Sequence, residues 1–197
     1  MNTPNKLSIF RIALVPLIVL VVIFPYAHFG ILMPTYPIRN VFLPLKNLIA
    51  LFLFALASFT DFLDGYLARK NNQITTFGKF LDPIADKILV NTMFILLAYQ
   101  GIVPIVAVLL MIWRDTMVDG IRMMASAKGE TISAGILGKI KTVVQIIAIG
   151  LLLLNNIPFE FWRLPVADLL VWFSTFVSLL SGYAYFVGAK EIIFETK

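Results

Sequence analysis

Residues 12–27, IALVPLIVLVVIFPYA, contain no charged side chain and follow two basic residues, Lys6 and Arg11. An apolar run of this length behind positive charge is typical of a signal peptide or of a first membrane helix. No small-x-small cleavage pattern follows near residues 26–28. We therefore predict that this segment is a membrane helix, with lipid rather than water as its main solvent.

The rest of the chain has the same character. Of its 197 residues, 60% are apolar and 14% are charged, whereas soluble domains are about 45–50% apolar and about 25% charged. The absence of cysteine excludes a disulfide framework, an iron–sulfur cluster and a thiol nucleophile. The composition predicts an all-α, polytopic membrane protein in which residues 1–197 form a single transmembrane domain.

Six membrane helices give the best division of the apolar sequence, since about twenty residues are needed to cross the hydrocarbon layer. A break at Gly101 and Pro104 separates the third from the fourth, and a break at residues 155–158 separates the fifth from the sixth. The predicted segments are residues 10–27, 41–68, 83–99, 103–126, 139–157 and 165–189.

The basic residues predict the orientation of these helices. Thirteen of the sixteen Lys and Arg fall on the side that holds both termini, and only Arg39, Lys46 and Arg163 fall on the other. Cytoplasmic segments carry the excess of positive charge, so we predict a multi-pass cell-membrane protein with both termini in the cytoplasm. The net charge of +5 is spread around the helix ends without a basic tract, which argues against nucleic acid as a partner.

Four acidic residues lie close together in the sequence: Asp61, Asp64, Asp82 and Asp86. Spacings of three and four residues place each pair on one helical face, and a short connection between helices two and three would bring both faces to one membrane boundary. Four carboxylates repel one another unless a cation lies between them. Hard divalent ions such as Mg²⁺ or Mn²⁺ suit this ligand set better than zinc does, and Mg²⁺ commonly adds substrate phosphates.

Other interpretations of these carboxylates stay open from the residues alone. Asp82 followed by Pro83 is typical of a helix N-cap with proline at the first helical position. Asp61 and Asp64 could be solvated charges paired with the basic residues that follow them.

The acidic pairs belong to a longer pattern, D-x2-D-G-x2-A-R-x8-G-x3-D-x3-D. Its eight positions are filled by Asp61, Asp64, Gly65, Ala68, Arg69, Gly78, Asp82 and Asp86. The pattern resembles, without a gap, the signature of the CDP-alcohol phosphotransferases, membrane enzymes that make phospholipid headgroups.

The resemblance extends on both sides of this pattern. Residues 4–11, PNKLSIFR, are similar to the family's P-N-x-L-T-x-x-R, with Ser8 in place of Thr. Residues 138–145, GKIKTVVQ, resemble the G-K-x-K-T-x-x-Q of the branch that makes phosphatidylglycerophosphate. Asp115 departs from that branch, because Glu is expected after Arg114.

The resemblance implies that Asp61, Asp64, Asp82 and Asp86 hold one or two divalent metals on the pyrophosphate of a CDP-linked lipid. It also implies that Asp86 is the general base, which takes the proton from the acceptor hydroxyl as that oxygen attacks phosphorus. No Cys, Ser or His is placed as a nucleophile, which favours direct in-line transfer. The implied CDP-lipid-binding residues are Asn5, Ser8, Gly65, Arg69, Thr75 and Gly78.

A separate set of basic residues is predicted to bind the phosphate of the acceptor: Arg114, Arg122, Lys139 and Lys141. Charged residues on a membrane helix normally face a cavity or one another. The alternative is that these residues only mark the cytoplasmic side and pair locally with aspartates.

The reaction implied by the resemblance is transfer of a phosphatidyl group from CDP-diacylglycerol to sn-glycerol 3-phosphate, which yields phosphatidylglycerophosphate and CMP at the cytoplasmic face. Inositol phosphate or serine would be alternative acceptors within the same class. A divalent-cation transporter is the alternative from another class, and a non-catalytic scaffold would leave the acidic residues unexplained. Membrane lipid and a second copy of the chain, in a homodimer, are the other expected partners.

Overall fold

The structure is a computed structural model that describes residues 3–70, 76–129 and 135–194. The described residues form six long helices and a short terminal one: α1 (Thr3–Ile23), α2 (Leu45–Lys70), α3 (Thr76–Tyr99), α4 (Ile105–Ala127), α5 (Ile136–Leu153), α6 (Val166–Gly188) and α7 (Lys190–Phe194). Single 3₁₀ turns lie at Tyr26–Phe29 and Phe159–Trp162. The predicted all-α class is confirmed.

Four of the helices in the described ranges are long and apolar enough to cross a membrane. They are Asn5–Ile23 of α1, Leu45–Gly65 of α2, Ile136–Leu153 of α5 and Val166–Gly188 of α6. The other two long helices, α3 and α4, form where helices were predicted but carry several charged residues in the half that holds the acidic and basic clusters. Their crossing of the membrane and the orientation of the termini stay predictions.

Two predicted helix boundaries are wrong in a way that matters for the site. Helix α1 begins at Thr3 rather than at residue 10, so its polar first turns are helical as well. Helix α3 begins at Thr76 rather than at residue 83, which places Asp82 and Pro83 inside it. The N-cap interpretation of Asp82 is therefore wrong, and its carboxylate is free to serve another role. Hydrophobicity alone set both predicted boundaries, and it does not register a polar helical turn outside the lipid.

A short antiparallel hairpin was not predicted. Strands β1 (Thr35–Ile38) and β2 (Val41–Pro44) pair directly before α2, so the segment predicted to be helical from residue 41 begins as a strand. The two-residue turn between them places Arg39 at a φ of 53°. Asn155, at the end of α5, donates a hydrogen bond of 2.6 Å to the carbonyl of Phe42. This contact ties the hairpin to the far end of the bundle from the acidic residues.

The helices pack with small residues at their contacts. Helix α1 lies against α2 and α3, and α6 lies against α4 and α5. Ala50, Ala57, Ala107 and Ala148 are fully buried, as expected where backbones approach closely without a hydrophobic driving force between helices. Large side chains such as those of Phe52 and Leu20 point outward, where lipid would cover them. The polar side chains that matter for function collect at one end of this bundle.

Candidate active site

The four aspartates of the signature are brought together by three helices. Asp61 and Asp64 lie on α2, Asp82 and Asp86 lie on α3, and three of the four contact the guanidinium of Arg11 on α1. Arg11 Nη1 lies 3.0 Å from an oxygen of Asp61 and 2.5 Å from one of Asp86, and Nη2 lies 2.6 Å from one of Asp64. The predicted meeting of the two acidic faces is confirmed as geometry.

Arg11 was not predicted to take part in this cluster. Its side chain is completely buried, and it carries one positive charge among four carboxylates. Its Nε is also buried and has no hydrogen-bond partner among the described residues. The sequence did indicate a role for Arg11, because it is the arginine that ends the stretch similar to P-N-x-L-T-x-x-R. That role was not distinguished from a topological one, since basic residues beside an apolar run are expected from membrane orientation alone.

Ser8 lies one turn before Arg11 and also faces the carboxylates. Its hydroxyl donates a hydrogen bond of 2.5 Å to Asp82 Oδ1, and it lies 3.4 Å from Asp64 Oδ2. Asn5 lies a further turn back and is 7% exposed. Spacings of three residues place all three side chains on one face of α1. The residues predicted to hold the nucleotide thus border the acidic cluster, and their role toward cytidine stays a prediction.

The acidic cluster suits a divalent cation by its chemistry. Every candidate ligand is a carboxylate oxygen, the donor that Mg²⁺ and Mn²⁺ prefer. Three of the carboxylates contact the guanidinium group of Arg11, two at Nη1 and one at Nη2. Within residues 3–70, 76–129 and 135–194, no three acidic or histidine side chains are spaced to share one metal ion. Because Arg11 already binds these carboxylate oxygens, a metal would have to compete with it for them.

The remaining predicted nucleotide-binding residues flank this cluster along the chain. Gly65 directly follows Asp64 and is half-buried on α2, and Gly78 is buried in the first turn of α3. Arg69 lies on α2, with its side chain outside the described part of the structure. Thr75 lies outside the described residues altogether.

A cavity of about 530 Å³ joins the acidic cluster to the basic one. Its walls include Asp61, Asp82 and Asp86 from one side. From the other side they include all four residues predicted to bind the acceptor phosphate, namely Arg114, Arg122, Lys139 and Lys141. Residues as far apart in sequence as Asp61 and Arg114 therefore line the same cavity. Its negative charges lie on one wall and its positive charges on the opposite wall.

The basic wall is partly neutralised by its own aspartates. Asp115 is 5% exposed and accepts hydrogen bonds from both Arg114, at 2.9 Å, and Lys141. Asp119, one turn along α4, pairs with Lys87 of α3. The local Asp–Arg pairing considered from the sequence therefore occurs at Arg114, and it coexists with the cavity. Asp115, Asp119 and Arg122 lie on one face of α4, and each contacts a side chain of another helix, as the cost of burying charge in lipid requires.

Helix α6 supplies a third part of this site, which is not among the residues predicted from the sequence. Arg114 Nη2 donates a hydrogen bond of 2.5 Å to Ser181, and Arg122 Nη2 donates one of 2.5 Å to the hydroxyl of Tyr185. The sequence did indicate that one face of α6 is functional, because this otherwise apolar helix carries polar side chains at helical spacing. They are Ser174, Thr175, Ser178, Ser181 and Tyr185, and all are buried.

Comparison with known proteins identifies the family of this chain. Residues 1–180 match the family model described as CDP-alcohol phosphatidyltransferase. The chain is 43% identical over 94% of its length to a Bacillus subtilis protein, of which 93% is covered, and 36% identical over 96% to one from Rickettsia bellii, of which 96% is covered. A Salmonella choleraesuis relative is 33% identical over 77% of this chain and 76% of its own. All three relatives are named CDP-diacylglycerol–glycerol-3-phosphate 3-phosphatidyltransferase. With four aspartates in the signature spacing and a matching family model over most of its length, this chain belongs to the CDP-alcohol phosphatidyltransferase family.

Proposed function

We propose that the protein transfers the phosphatidyl group of CDP-diacylglycerol to sn-glycerol 3-phosphate, releasing CMP and forming phosphatidylglycerophosphate. The observation that carries this proposal is the single cavity lined by Asp61, Asp82 and Asp86 on one side and by Arg114 and the α5 lysines on the other. The reaction joins a diphosphate-containing donor to a phosphate-containing acceptor. It therefore needs a metal-binding wall and a cationic wall within reach of each other. The names of the relatives support the same pair of substrates.

In this mechanism the acidic wall acts on the donor. Asp61, Asp64, Asp82 and Asp86 would hold a divalent metal, Mg²⁺ or Mn²⁺, which when bound neutralises the diphosphate and makes CMP a better leaving group. Asp86 lines the cavity and its side chain is 38% exposed, so an acceptor hydroxyl can approach it. As general base, its carboxylate accepts the proton of that hydroxyl while the oxygen attacks the lipid-side phosphorus.

The basic wall positions the acceptor. Lys139 lies in the first turn of α5, where the helix N-terminus adds partial positive charge. Arg114 and Arg122 each keep a buried Nε without a partner among the described residues. Buried donors without acceptors are unfavourable, and a bound phosphate dianion would add acceptor oxygens and charge to this wall. Holding the two substrates in one cavity accounts for much of the rate enhancement such an enzyme needs.

An acceptor assay tests the function directly. The full-length protein, either purified in detergent or assayed in native membranes, is incubated with CDP-diacylglycerol, Mg²⁺ and one labelled acceptor at a time. Glycerol 3-phosphate should give a labelled lipid and an equal amount of CMP, and serine and inositol phosphate should give neither. Transfer to one of those two would contradict the acceptor assignment and keep the reaction class. Metal flux into proteoliposomes without CDP-lipid would support a transporter instead.

The same proposal includes the arrangement in the membrane. All six long helices cross the cell membrane, both termini and the active site lie on the cytoplasmic side, and residues 1–197 act as one domain in a homodimer. The thirteen-to-three distribution of Lys and Arg supports the orientation. Cysteine is absent from the chain, so single cysteines placed near Arg39 and near Lys128 offer a direct accessibility test from either side.

The basic wall gives the next prediction. Arg114→Ala and Lys141→Ala should each raise the KM for glycerol 3-phosphate by about ten- to a hundredfold, the effect of losing one partly buried charge-assisted contact of about 1.5–3 kcal/mol. Lys139→Ala should raise the same KM by less, because Lys139 is exposed and its charge is better screened by water. The KM for CDP-diacylglycerol should change much less. Lys128→Ala is the matched control, because Lys128 follows α4 at the same end of the bundle and does not line the cavity. Loss of CDP-lipid binding with an unchanged acceptor KM would make this wall a donor site.

Arg11 gives a prediction about stability. Arg11→Gln leaves Asp61, Asp64 and Asp86 without their cation, and breaking a buried pair in this way typically costs about 3–5 kcal/mol of folding free energy. Thermal unfolding in detergent, without divalent metal, measures the loss. Added Mn²⁺ should recover part of it, since an ion that binds the folded state stabilises it. Lys6→Gln, an exposed position on the same helix, should have no such effect. An Arg11→Gln protein as stable as wild type without metal would contradict this role.

A further inference from the structure

Arg114 of the basic wall packs closely against α6. Its side chain is 9% exposed. Nη2 donates its hydrogen bond to Ser181, and the guanidinium carbon lies 5.7 Å from the centre of the Tyr185 ring. Ser181 and Tyr185 are one helical turn apart and therefore share a face. Together with the bond from Nη1 to Asp115, these contacts fix both ends of the guanidinium group.

Gly182 provides the space that this arrangement needs. A Cβ atom added at Gly182 would lie only 2.8 Å from Cγ of Arg114, a distance that side chains do not tolerate. The clash would involve the stem of the arginine, so a change at its tip could not relieve it. The backbone of Gly182 does not adopt the left-handed conformation, and glycine inside a helix is less favourable than alanine. The close approach of Arg114 is therefore the feature that requires glycine here.

Ser181 also lies near the start of α5. A Cβ atom added at Gly138, the residue before Lys139, would lie 3.9 Å from Ser181 Oγ, an ordinary van der Waals distance. The hydroxyl that binds Arg114 is therefore close to the helix turn that carries Lys139, and both basic residues line the cavity that also contains Asp86.

We propose that Ser181 and Gly182 are positioning residues for the acceptor: they hold Arg114 in the one conformation in which it binds the acceptor phosphate at the correct distance from Asp86. This inference rests on the proposed function. Neither residue contacts the reacting atoms, and both act through Arg114. A fixed guanidinium matters because a displacement of about 1 Å in a substrate-positioning group can cost about 10²-fold in rate.

The test is a double-mutant comparison on the full-length protein. Gly182→Ala should raise the KM for glycerol 3-phosphate by about tenfold or more, an effect of about 1.4 kcal/mol or more, and leave the KM for CDP-diacylglycerol unchanged. Gly188→Ala is the matched control, because it makes the same change on the same helix where nothing lies within 4 Å. In an Arg114→Ala background, Gly182→Ala should have no further effect, since the Cγ atom it would meet is gone.

Ser181→Ala keeps the test decisive if Gly182→Ala does not fold. It removes only the hydroxyl and should raise the same KM, again without effect in the Arg114→Ala background. Additive effects of Gly182→Ala and Arg114→Ala, or equal effects on both substrates, would mean that α6 has a merely structural role and would overturn the inference. Calorimetric titration with glycerol 3-phosphate separates the two proposals. A wild-type protein that neither binds nor uses it contradicts the proposed function and this inference together, whereas an active wild type with an unchanged Gly182→Ala variant contradicts this inference alone.

Discussion

Asp61→Asn, Asp64→Asn and Asp82→Asn should each abolish phosphatidyl transfer, a loss of at least about a thousandfold, because a divalent metal contributes several kcal/mol of transition-state stabilisation. Each substitution removes a negative oxygen ligand and keeps the size of the side chain. Asp64 should be the most sensitive of the three, since it is buried and bonded to Arg11 at 2.6 Å. Initial rates at saturating Mg²⁺ measure the effect, and size-exclusion chromatography shows whether the variant is folded.

The matched control for these variants is Asp168→Asn. Asp168 lies in the first turn of α6, at the end of the bundle away from the acidic cluster, and its substitution should leave turnover unchanged. A second measurement separates metal binding from activity. Thermal stabilisation by Mn²⁺ should be present in wild type and in the control, and much reduced in the three variants. Full activity in two of the three variants would rule out the metal-site interpretation of the cluster.

Asp86→Asn should lower turnover by about 10²–10⁴-fold, the usual cost of losing a general base, and should weaken CDP-lipid binding far less. Binding can rely on the remaining three carboxylates, whereas proton removal cannot. Asp86 is suited to this separation because it lies on the cavity wall and is more exposed than Asp64. Turnover and donor affinity should be measured on the same preparation.

The pH dependence provides an independent readout for Asp86. A general base works only when deprotonated, so the wild-type rate should fall as the pH is lowered through the range in which Asp86 takes up a proton. The Asp86→Asn protein should lack that fall. Near-normal turnover with an unchanged pH–rate profile would show that Asp86 is not the base.

The acidic half of the site could be predicted from sequence because its geometry is local. Spacings of three and four residues place Asp61 with Asp64 and Asp82 with Asp86 on common helical faces, and the end of α2 lies close in sequence to the start of α3. The basic wall was predictable to a similar degree, because charged residues on a membrane helix must face a cavity or each other. The structure brings both sets to one cavity.

The parts that could not be predicted depend on contacts between residues far apart in the chain. Arg11 lies more than fifty residues from Asp64, and no spacing rule connects them. Ser181 is sixty-seven residues from Arg114, and a single serine on an apolar helix is usually neutral. The hairpin escapes prediction for another reason: β2 continues directly into the apolar sequence of α2, and β1 lies between the predicted segments. Residue spacing shows which side chains share one face of a helix, whereas the packing of the helices determines which of these faces contact each other.

The burial of Arg11 has a consequence for how the protein assembles during insertion into the bilayer. A charged side chain on an isolated membrane helix is unfavourable by about 2.5–3.5 kcal/mol at the helix centre, and less toward its ends. Arg11 loses that penalty only when α2 and α3 deliver Asp64 and Asp86 to it. We therefore expect the final depth and rotation of α1 to depend on the placement of α2 and α3. The residues proposed to carry out the chemistry thus also couple the first three helices to one another in the bilayer.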